Sequence, residues 1–371
     1  MSYTKDDCIK IAARLNNTKR PYLLVNPLQA KHVPVSPTAA LKMMGTLADK
    51  LAEKYPNTKL VIGFAETATA IGAVVASRFD GCFYLQTTRE ALPEDLAAVE
   101  FLEEHSHATE QTLCTEYFES ALSLTDSVIF VDDEISTGKT LLNIIEQLRA
   151  KFPALLNKTT VVASIVNRVS TADGQRLEAA HILSEQLIKI PNEDYSALAA
   201  RYKTEAPKRV NAGVPRNFTV STLNISLGNP RTGVNFGDYN RSCLNLAAQA
   251  VKYKTAGEIL VLGTEECMYP ALILGSKIEA EGGCRVFCHA TTRSPISVCG
   301  EENYPVKNGY RVGSFYDGAR INYIYNLRHY DKVFIVTDAE DKGGNAIDDI
   351  STVFSEYGCR DFVIVRGLKN V

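Results

Sequence analysis

Two adjacent carboxylates and a run of small hydroxyl residues follow an apolar segment of the sequence. Residues 128–131 lead into Asp132 and Asp133, and Ser-Thr-Gly-Lys-Thr follows at residues 136–140. The N-terminus of a helix offers backbone N–H groups that bind phosphate, and Gly138 permits a tight turn there. A carboxylate pair repels phosphate but accepts hydrogen bonds from a vicinal diol. The pattern indicates a site for a ribose 5-phosphate, and the alternative is an ordinary strand–helix turn with solvated acids.

Two other kinds of site, a Walker loop and a structural zinc site, are less consistent with the residue spacing. Gly-Lys-Thr at residues 138–140 also ends a Walker loop, but the glycine that such a loop needs five positions earlier is replaced by Asp133. Cys284, Cys288 and His289, with Cys299, lack the paired spacing of a structural zinc site. The first two cysteines are better explained as residues on one face of a strand.

The elements around the acidic pair follow an α/β pattern. Apolar runs at residues 60–64, 82–85, 128–131 and 160–166 predict short buried strands. A helix is predicted after Ser36-Pro37, and a second stripe at helical spacing follows residue 140. Strands that alternate with helices indicate a mostly parallel sheet, in which ligands bind beyond the carboxyl ends of the strands. The acidic pair stands at such an end.

Composition indicates a globular enzyme of two domains. The chain has 371 residues, 45% of them hydrophobic and 22% charged, with a net charge of −3. This charge gives no broad basic field for nucleic acid or a membrane surface. We expect no signal peptide, because the N-terminus lacks an apolar core, and no membrane-spanning helix. Nine cysteines without framework spacing are typical of free thiols in a reducing cytoplasm.

The segment at residues 131–140 resembles the phosphoribosyl pyrophosphate (PRPP) motif of type I phosphoribosyltransferases, especially those of the orotate type. The resemblance implies a Rossmann-like fold with a parallel sheet flanked by helices. It also implies that Asp132 and Asp133 bind the ribose hydroxyls at the catalytic centre and are the ligands of Mg²⁺. The remaining PRPP-binding positions that it implies in this segment are Glu134, Ser136, Thr137, Gly138, Lys139 and Thr140.

Other segments resemble further parts of this family's PRPP site. Residues 63–72 resemble the pyrophosphate loop, with Ala65, Glu66 and Thr67 at its turn. Glu66 is also explained as an acid that favours a helix start. The resemblance implies that Arg89 contacts the pyrophosphate, although a surface arginine is the alternative. Lys31, before the first predicted helix, is a further candidate for the same anion.

The connection at residues 91–125 is long and polar, and the resemblance implies that it is the mobile loop that closes over the sugar in type I enzymes. His105 and His107 in this stretch are candidates for proton transfer or for contact with pyrophosphate. The alternative is a solvated acidic helix.

The second half of the sequence repeats the first. Three strand–loop segments around Gly263, Arg293 and Gly343 mirror those around Gly63, Arg89 and Gly138 at offsets of 200 to 205 residues. A steady offset indicates an internal duplication. Thr-Arg-Ser-Pro at residues 292–295 also resembles the TRSP domain that follows a phosphoribosyltransferase domain in proteins of bacterial tellurite-resistance and stress operons. We predict a phosphoribosyltransferase domain at residues 1–205 and a TRSP domain, a diverged copy of the same fold, at residues 206–371.

These resemblances imply an enzyme that transfers ribose 5-phosphate between PRPP and a nucleobase-like acceptor, with pyrophosphate as co-product and Mg²⁺ as cofactor. The expected partners are these small molecules, with no nucleic acid or membrane, and homodimer formation is left open. Two alternatives remain: a regulator that senses PRPP or a nucleotide on the same fold, and a tandem like PRPP synthetase. Against the synthetase, the PRPP motif lies in the first half of the chain.

Overall fold

The structure is a computed structural model that describes residues 2–102, 110–210, 218–339 and 345–369. Its strands in chain order are β1 (Lys10–Ala13), β2 (Tyr22–Val25), β3 (Thr58–Gly63), β4 (Phe83–Gln86), β5 (Ala98–Leu102), β6 (Glu110–Cys114), β7 (Ser127–Ile135), β8 (Thr159–Asn167), β9 (Ile182–Lys189), β10 (Lys208–Arg209), β11 (Thr219–Leu227), β12 (Val234–Asn235), β13 (Gly257–Gly263), β14 (Cys284–Ala290), β15 (Gly309–Gly313), β16 (Ile321–Tyr325), β17 (Lys332–Thr337) and β18 (Asp361–Lys369).

Helices connect most of these strands. In chain order they are α1 (Lys5–Cys8), α2 (Pro37–Lys54), α3 (Thr69–Ala76), α4 (Phe118–Ser123), α5 (Lys139–Lys151), α6 (Thr171–Ala179), α7 (Ser196–Ala199), α8 (Phe236–Ala250), α9 (Tyr269–Glu281) and α10 (Ala346–Glu356), with 3₁₀ turns at Pro153–Asn157 and Val251–Tyr253. Among the described residues, none of these helices is both long enough and apolar enough to span a membrane.

The chain forms two compact units, and neither is one continuous segment. The first unit contains Met1–Lys5, Lys42–Glu193 and Gly228–Arg241, and the second contains Asp6–Leu41, Asp194–Leu227 and Ser242–Val371. Short pieces of each half of the sequence therefore belong to the opposite unit. The single domain boundary between residues 205 and 206 stays a prediction.

The first unit is built on a six-stranded sheet with the order β12-β4-β3-β7-β8-β9. Neighbouring strands are parallel except for β12, which pairs antiparallel with β4. The apolar stripe of α5 packs in one buried cluster with strand residues such as Leu60, Val128 and Val162. In the same unit β5 and β6 form an antiparallel pair. Because β3 and β7 are parallel neighbours, the loops that follow them leave the sheet side by side.

The second unit repeats this plan with a five-stranded, all-parallel sheet. Its order is β11-β18-β17-β13-β14, so β14-β13-β17-β18 matches β4-β3-β7-β8 of the first unit. In each unit an antiparallel strand pair, β5–β6 or β15–β16, comes between the second and third of the matched strands in sequence. The predicted α/β fold with a second, diverged copy is confirmed by this topology.

The predicted elements near the acidic pair are also confirmed. Each of the four expected strands overlaps an observed strand, namely β3, β4, β7 and β8. The helix expected after Ser36-Pro37 is α2, and the stripe after residue 140 is α5. All nine cysteines are free thiols.

Candidate active site

The loop between β3 and α3 is held in place by backbone and side-chain hydrogen bonds. The Phe64 N–H donates to the Val131 carbonyl on β7 at 2.9 Å, and the Ala65 N–H donates to Thr87 Oγ1 at 2.8 Å. The peptide bond between Ala65 and Glu66 is cis. A Cβ added to Gly72 would lie 2.8 Å from the Gly63 Cα, so these glycines allow α3 to approach the end of β3 closely.

Thr87 and Gln111 are buried residues that the sequence analysis did not single out, and both hold the loop between β3 and α3 in place. The Gln111 amide donates to the Ala65 carbonyl at 2.8 Å, and Thr87 Oγ1 donates to Gln111 Oε1 at 2.5 Å. Both side chains have no exposed area. The repeated Thr-Thr-Arg in the two halves of the sequence was a signal for Thr87, whereas nothing local marked Gln111. Since the Ala65 N–H and carbonyl are both used within the protein, Ala65 has the role of a fixed turn residue.

The acidic pair lies at the end of β7, and it is linked to the loop after β3. Thr67 Oγ1 donates to Asp133 Oδ1 at 2.9 Å, and the Asp133 N–H donates to Asp132 Oδ1 at 2.9 Å. Both acidic residues are half-buried. Desolvation, and then the nearby Glu134 carboxylate, raise the pKa of Asp133 above its ordinary value. The structure thus brings together Thr67, Asp132 and Asp133 from two separate sequence motifs.

Glu134 is engaged in a buried ion pair. Its Oε1 accepts from Arg168 Nη1 at 2.9 Å, and the Arg168 side chain is only 1% exposed. Arg168 is fixed further by its own N–H, which donates to the Ile135 carbonyl at 2.7 Å, and by a hydrogen bond from Nη2 to the Glu193 carbonyl. Glu134 therefore has a structural role near the end of β7, in addition to the PRPP-binding role that the motif predicts.

The hydroxyl-rich segment forms the turn into α5, which begins at Lys139. Gly138 has a left-handed φ of +72°, and a Cβ at this position would lie 3.2 Å from Leu177 Cδ1. The Lys139 N–H donates to Thr137 Oγ1 at 3.3 Å. Ser136, Thr137 and Thr140 are partly exposed, and Lys139 is exposed. The segment therefore offers hydroxyl groups and a helix N-terminus on the same edge of the sheet as the acidic pair.

The structure places the remaining predicted site residues in different parts of the chain. Arg89 is partly exposed in the segment after β4, next to Thr88, which bridges to Thr112 of β6. Lys31 belongs to the second unit, where its fully buried ammonium group donates to the carbonyls of Glu265 at 2.7 Å and Thr291 at 2.9 Å. This corrects the expectation that the Lys31 charge is available for an anion, because the second unit already uses it to hold two of its own loops. The predicted His105 and His107 fall outside the described residues.

In the part of the chain that the structure describes, side chains alone do not form a complete metal-binding site. No group of three or more His, Cys, Asp and Glu side chains that could hold a metal ion occurs there. Mg²⁺ commonly binds one or two carboxylates together with water and substrate phosphates. The Asp132 and Asp133 side chains could supply these one or two carboxylates.

The sequence also matches a protein-family model described as phosphoribosyl transferase over residues 8–200, more than half of the chain. The chain belongs to this phosphoribosyltransferase family. A second model, described as a TRSP domain C-terminal to PRTase_2, matches residues 231–352. The predicted family and enzyme class are thereby confirmed. A search of curated proteins found no significant match.

Solved structures that match about half of this chain include two adenine phosphoribosyltransferases and one orotate phosphoribosyltransferase. Adenine phosphoribosyltransferase from Trypanosoma brucei has 14% identity and a TM-score of 0.36, and the match covers 52% of this chain and 86% of that chain. The adenine enzyme from Giardia lamblia has 18% identity, coverages of 49% and 93%, and a TM-score of 0.35. Orotate phosphoribosyltransferase from Mycobacterium tuberculosis has 15% identity, coverages of 49% and 88%, and a TM-score of 0.28.

Proposed function

We propose that the first unit transfers ribose 5-phosphate between PRPP and a nucleobase-like acceptor, with pyrophosphate as the co-product. The observation that carries this proposal is the hydrogen bond from Thr67 to Asp133. It joins the loop after β3, which resembles a pyrophosphate loop, to the acidic pair near the end of β7, which resembles a ribose clamp. One substrate that carries both pyrophosphate and ribose accounts for the proximity of the two motifs.

In the proposed reaction, an acceptor nitrogen forms a bond to C1 of the ribose while the bond from C1 to the pyrophosphate oxygen breaks. The leaving pyrophosphate takes the electron pair, and the acceptor loses a proton. The Asp132 and Asp133 carboxylates accept hydrogen bonds from the ribose hydroxyls and stay close to the positive charge that develops on the sugar. The protein contributes mainly position and electrostatics.

The anionic ends of PRPP are assigned to the two loops. The 5′-phosphate binds at the N-terminus of α5, to the segment from Ser136 to Thr140. Pyrophosphate binds at the loop of Glu66 and Thr67, with Arg89 as its cation. Mg²⁺, when bound, neutralises charge on the leaving pyrophosphate. Roles for His105 and His107 in proton transfer stay predictions, as do homodimer formation, a cytoplasmic location and a connection with tellurite resistance.

The direct test is release of pyrophosphate from PRPP by the full chain with Mg²⁺ and a panel of nucleobases and related heterocycles. At least one acceptor should give release, and Asp132→Asn combined with Asp133→Asn should lower its rate by about 100-fold or more, since two charge-assisted hydrogen bonds are lost. Asp126→Asn is a matched control, because this exposed aspartate precedes β7 at the opposite end of the strand. Its rate should be that of the wild type.

Three other results would contradict the proposal in different ways. PRPP binding without release for any acceptor would favour the sensing regulator. Formation of PRPP from ATP and ribose 5-phosphate would identify a synthetase. A chain that does not bind PRPP at all would remove the basis for every version of this function.

A further inference from the structure

The second unit contains a loop equivalent to the pyrophosphate-type loop of the first. The Glu265 N–H donates to Thr291 Oγ1 at 3.0 Å, as the Ala65 N–H does to Thr87 Oγ1 at 2.8 Å. The Thr291 N–H donates to the Gly263 carbonyl at 3.0 Å, and the Thr87 N–H donates to the Gly63 carbonyl at 2.9 Å. Glu265 therefore stands at the position of Ala65, and a carboxylate side chain replaces a methyl group.

The Glu265 carboxylate is enclosed by donors, and it has no exposed area. Its Oε2 accepts from Arg293 Nε at 2.9 Å and from Arg320 Nη1 at 3.1 Å. Its Oε1 accepts from Ser314 Oγ at 2.5 Å. Two guanidinium groups and a hydroxyl converging on one carboxylate are the arrangement that proteins use for a bound oxyanion.

The backbone supports the view that this carboxylate is held in place. Glu265 has a backbone φ of +49°, in the left-handed region that residues other than glycine rarely adopt. Such a conformation persists only where its surroundings compensate for it. Two hydrogen bonds to the Glu265 backbone, from its N–H to Thr291 and from Lys31 to its carbonyl, act together with the three donors on its carboxylate.

Arg293 occupies the position in the second unit that Arg89 occupies in the first. It follows Thr291 and Thr292, as Arg89 follows Thr87 and Thr88. Thr292 bridges to Tyr323 of β16, as Thr88 bridges to Thr112 of β6. The arginine that corresponds to Arg89 thus binds the protein's own carboxylate.

The residue equivalent to Asp133 is also engaged. Asp338 follows β17 and is 5% exposed, and its Oδ1 accepts from the Tyr316 hydroxyl at 2.5 Å. The same hydroxyl oxygen lies 3.2 Å from the Thr264 carbonyl oxygen. In the first unit the hydrogen bond to Asp133 comes from the smaller Thr67. A bulky phenol next to this acid reduces the space for a ribose.

We propose that the second unit contains an oxyanion site that is filled by its own Glu265 carboxylate. Glu265 then excludes a diphosphate from this unit, and Arg293, Arg320 and Ser314 are the binding groups that it covers. Removal of the carboxylate opens a site for a small carboxylate or similar oxyanion. The oxyanion site is argued from the second unit's own contacts, and only the exclusion of a diphosphate rests on the function proposed for the first unit.

Charge favours a singly charged anion in the opened site. Arg293 Nη2 lies 3.9 Å from Glu266 Oε1, and Arg320 Nη2 lies 3.5 Å from Asp317 Oδ2. These acids offset part of the charge of the two guanidinium groups, so a multiply charged phosphate gains less from the site. Acetate is the matched probe, because Glu265→Ala removes two carbons and two oxygens, the heavy atoms of acetate.

The test compares thermal unfolding of the full chain in sodium acetate and in sodium chloride at equal ionic strength and pH. Glu265→Ala should be less stable than the wild type in chloride, and acetate should raise its midpoint by about 2–4 °C. The wild type should show no such rise. Glu265→Gln is the control variant, because its amide keeps the side-chain volume and leaves no room for acetate.

Each outcome decides the proposal. A rise confined to Glu265→Ala, and lost when Arg293→Met is added, would support it. An equal rise in the alanine and glutamine variants would show a general salt effect and overturn it. So would an alanine variant that stays unfolded in acetate, since the added anion should replace the missing carboxylate. A first unit that fails to bind PRPP would leave all of these readouts unchanged, so failure of the proposed function is distinguishable.

Discussion

At the scale of single residues, Asp133 connects the two halves of the candidate site. It accepts a hydrogen bond from Thr67 and is proposed to accept another from the ribose. An amide at this position keeps the shape but loses the negative charge, and a charge-assisted hydrogen bond contributes about 1.5–3 kcal/mol. We therefore expect Asp133→Asn to weaken PRPP binding about tenfold or more, as measured by calorimetry with Mg²⁺.

Two controls separate this effect from a loss of structure. Asp126→Asn removes an exposed carboxylate that precedes the same strand and should keep the affinity of the wild type. The Asp133→Asn variant should also unfold at a midpoint no lower than that of the wild type, because burial already disfavours the charged form of Asp133. Unchanged PRPP affinity in Asp133→Asn would show that this carboxylate does not bind the ribose.

At the scale of elements, the turn into α5 depends on Gly138. Its φ of +72° suits glycine, and a side chain would also approach Leu177 at 3.2 Å. Gly138→Ala should cost about 1–2 kcal/mol for the left-handed backbone, and should also displace the N–H groups that are proposed to bind phosphate. We expect lower stability together with weaker PRPP binding.

Gly81 offers a matched comparison for this prediction. It has a φ of +65°, it lies in the turn before β4, and a Cβ there would meet nothing within 4 Å. Gly81→Ala should thus show a similar loss of stability in denaturant unfolding, while its affinity for PRPP stays that of the wild type. Equal affinity losses in both variants would mean that the Gly138 turn has no particular role in phosphate binding.

The elements that could be predicted from the sequence are those defined by local patterns. The apolar run before Asp132 marked β7, and Gly138 followed by an apolar stripe marked the start of α5. The contacts of Gln111 and Lys31 could not be predicted, because they join residues 46 and 234 positions apart in the chain. Gln111 Nε2 binds the Ala65 carbonyl, and Lys31 Nζ binds the equivalent Glu265 carbonyl. Only the folded structure shows that an amide group in the first unit and an ammonium group in the second donate to equivalent loop carbonyls.

At the scale of the whole molecule, the two units carry different side chains on a shared strand order. The strand order is shared across four strands. In the loops that follow β3 and β13, Ala65 and Thr67 of the first unit correspond to Glu265 and Cys267 of the second. Side-chain differences on the shared sheet thus separate an edge that is proposed to bind PRPP from one whose polar groups bond to each other.

The last prediction is the number of PRPP molecules bound by one chain. We expect a stoichiometry of one, because the second unit fills its oxyanion position with Glu265 and engages Asp338 with Tyr316. In calorimetry, Asp133→Asn should weaken this single site, whereas Asp338→Asn should leave both its affinity and the stoichiometry unchanged. A stoichiometry of two, with the second site lost in Asp338→Asn, would show that the second unit binds PRPP despite these internal bonds. The Tyr316–Asp338 contact would then have to open on binding, and the inference that Glu265 excludes a diphosphate would be wrong.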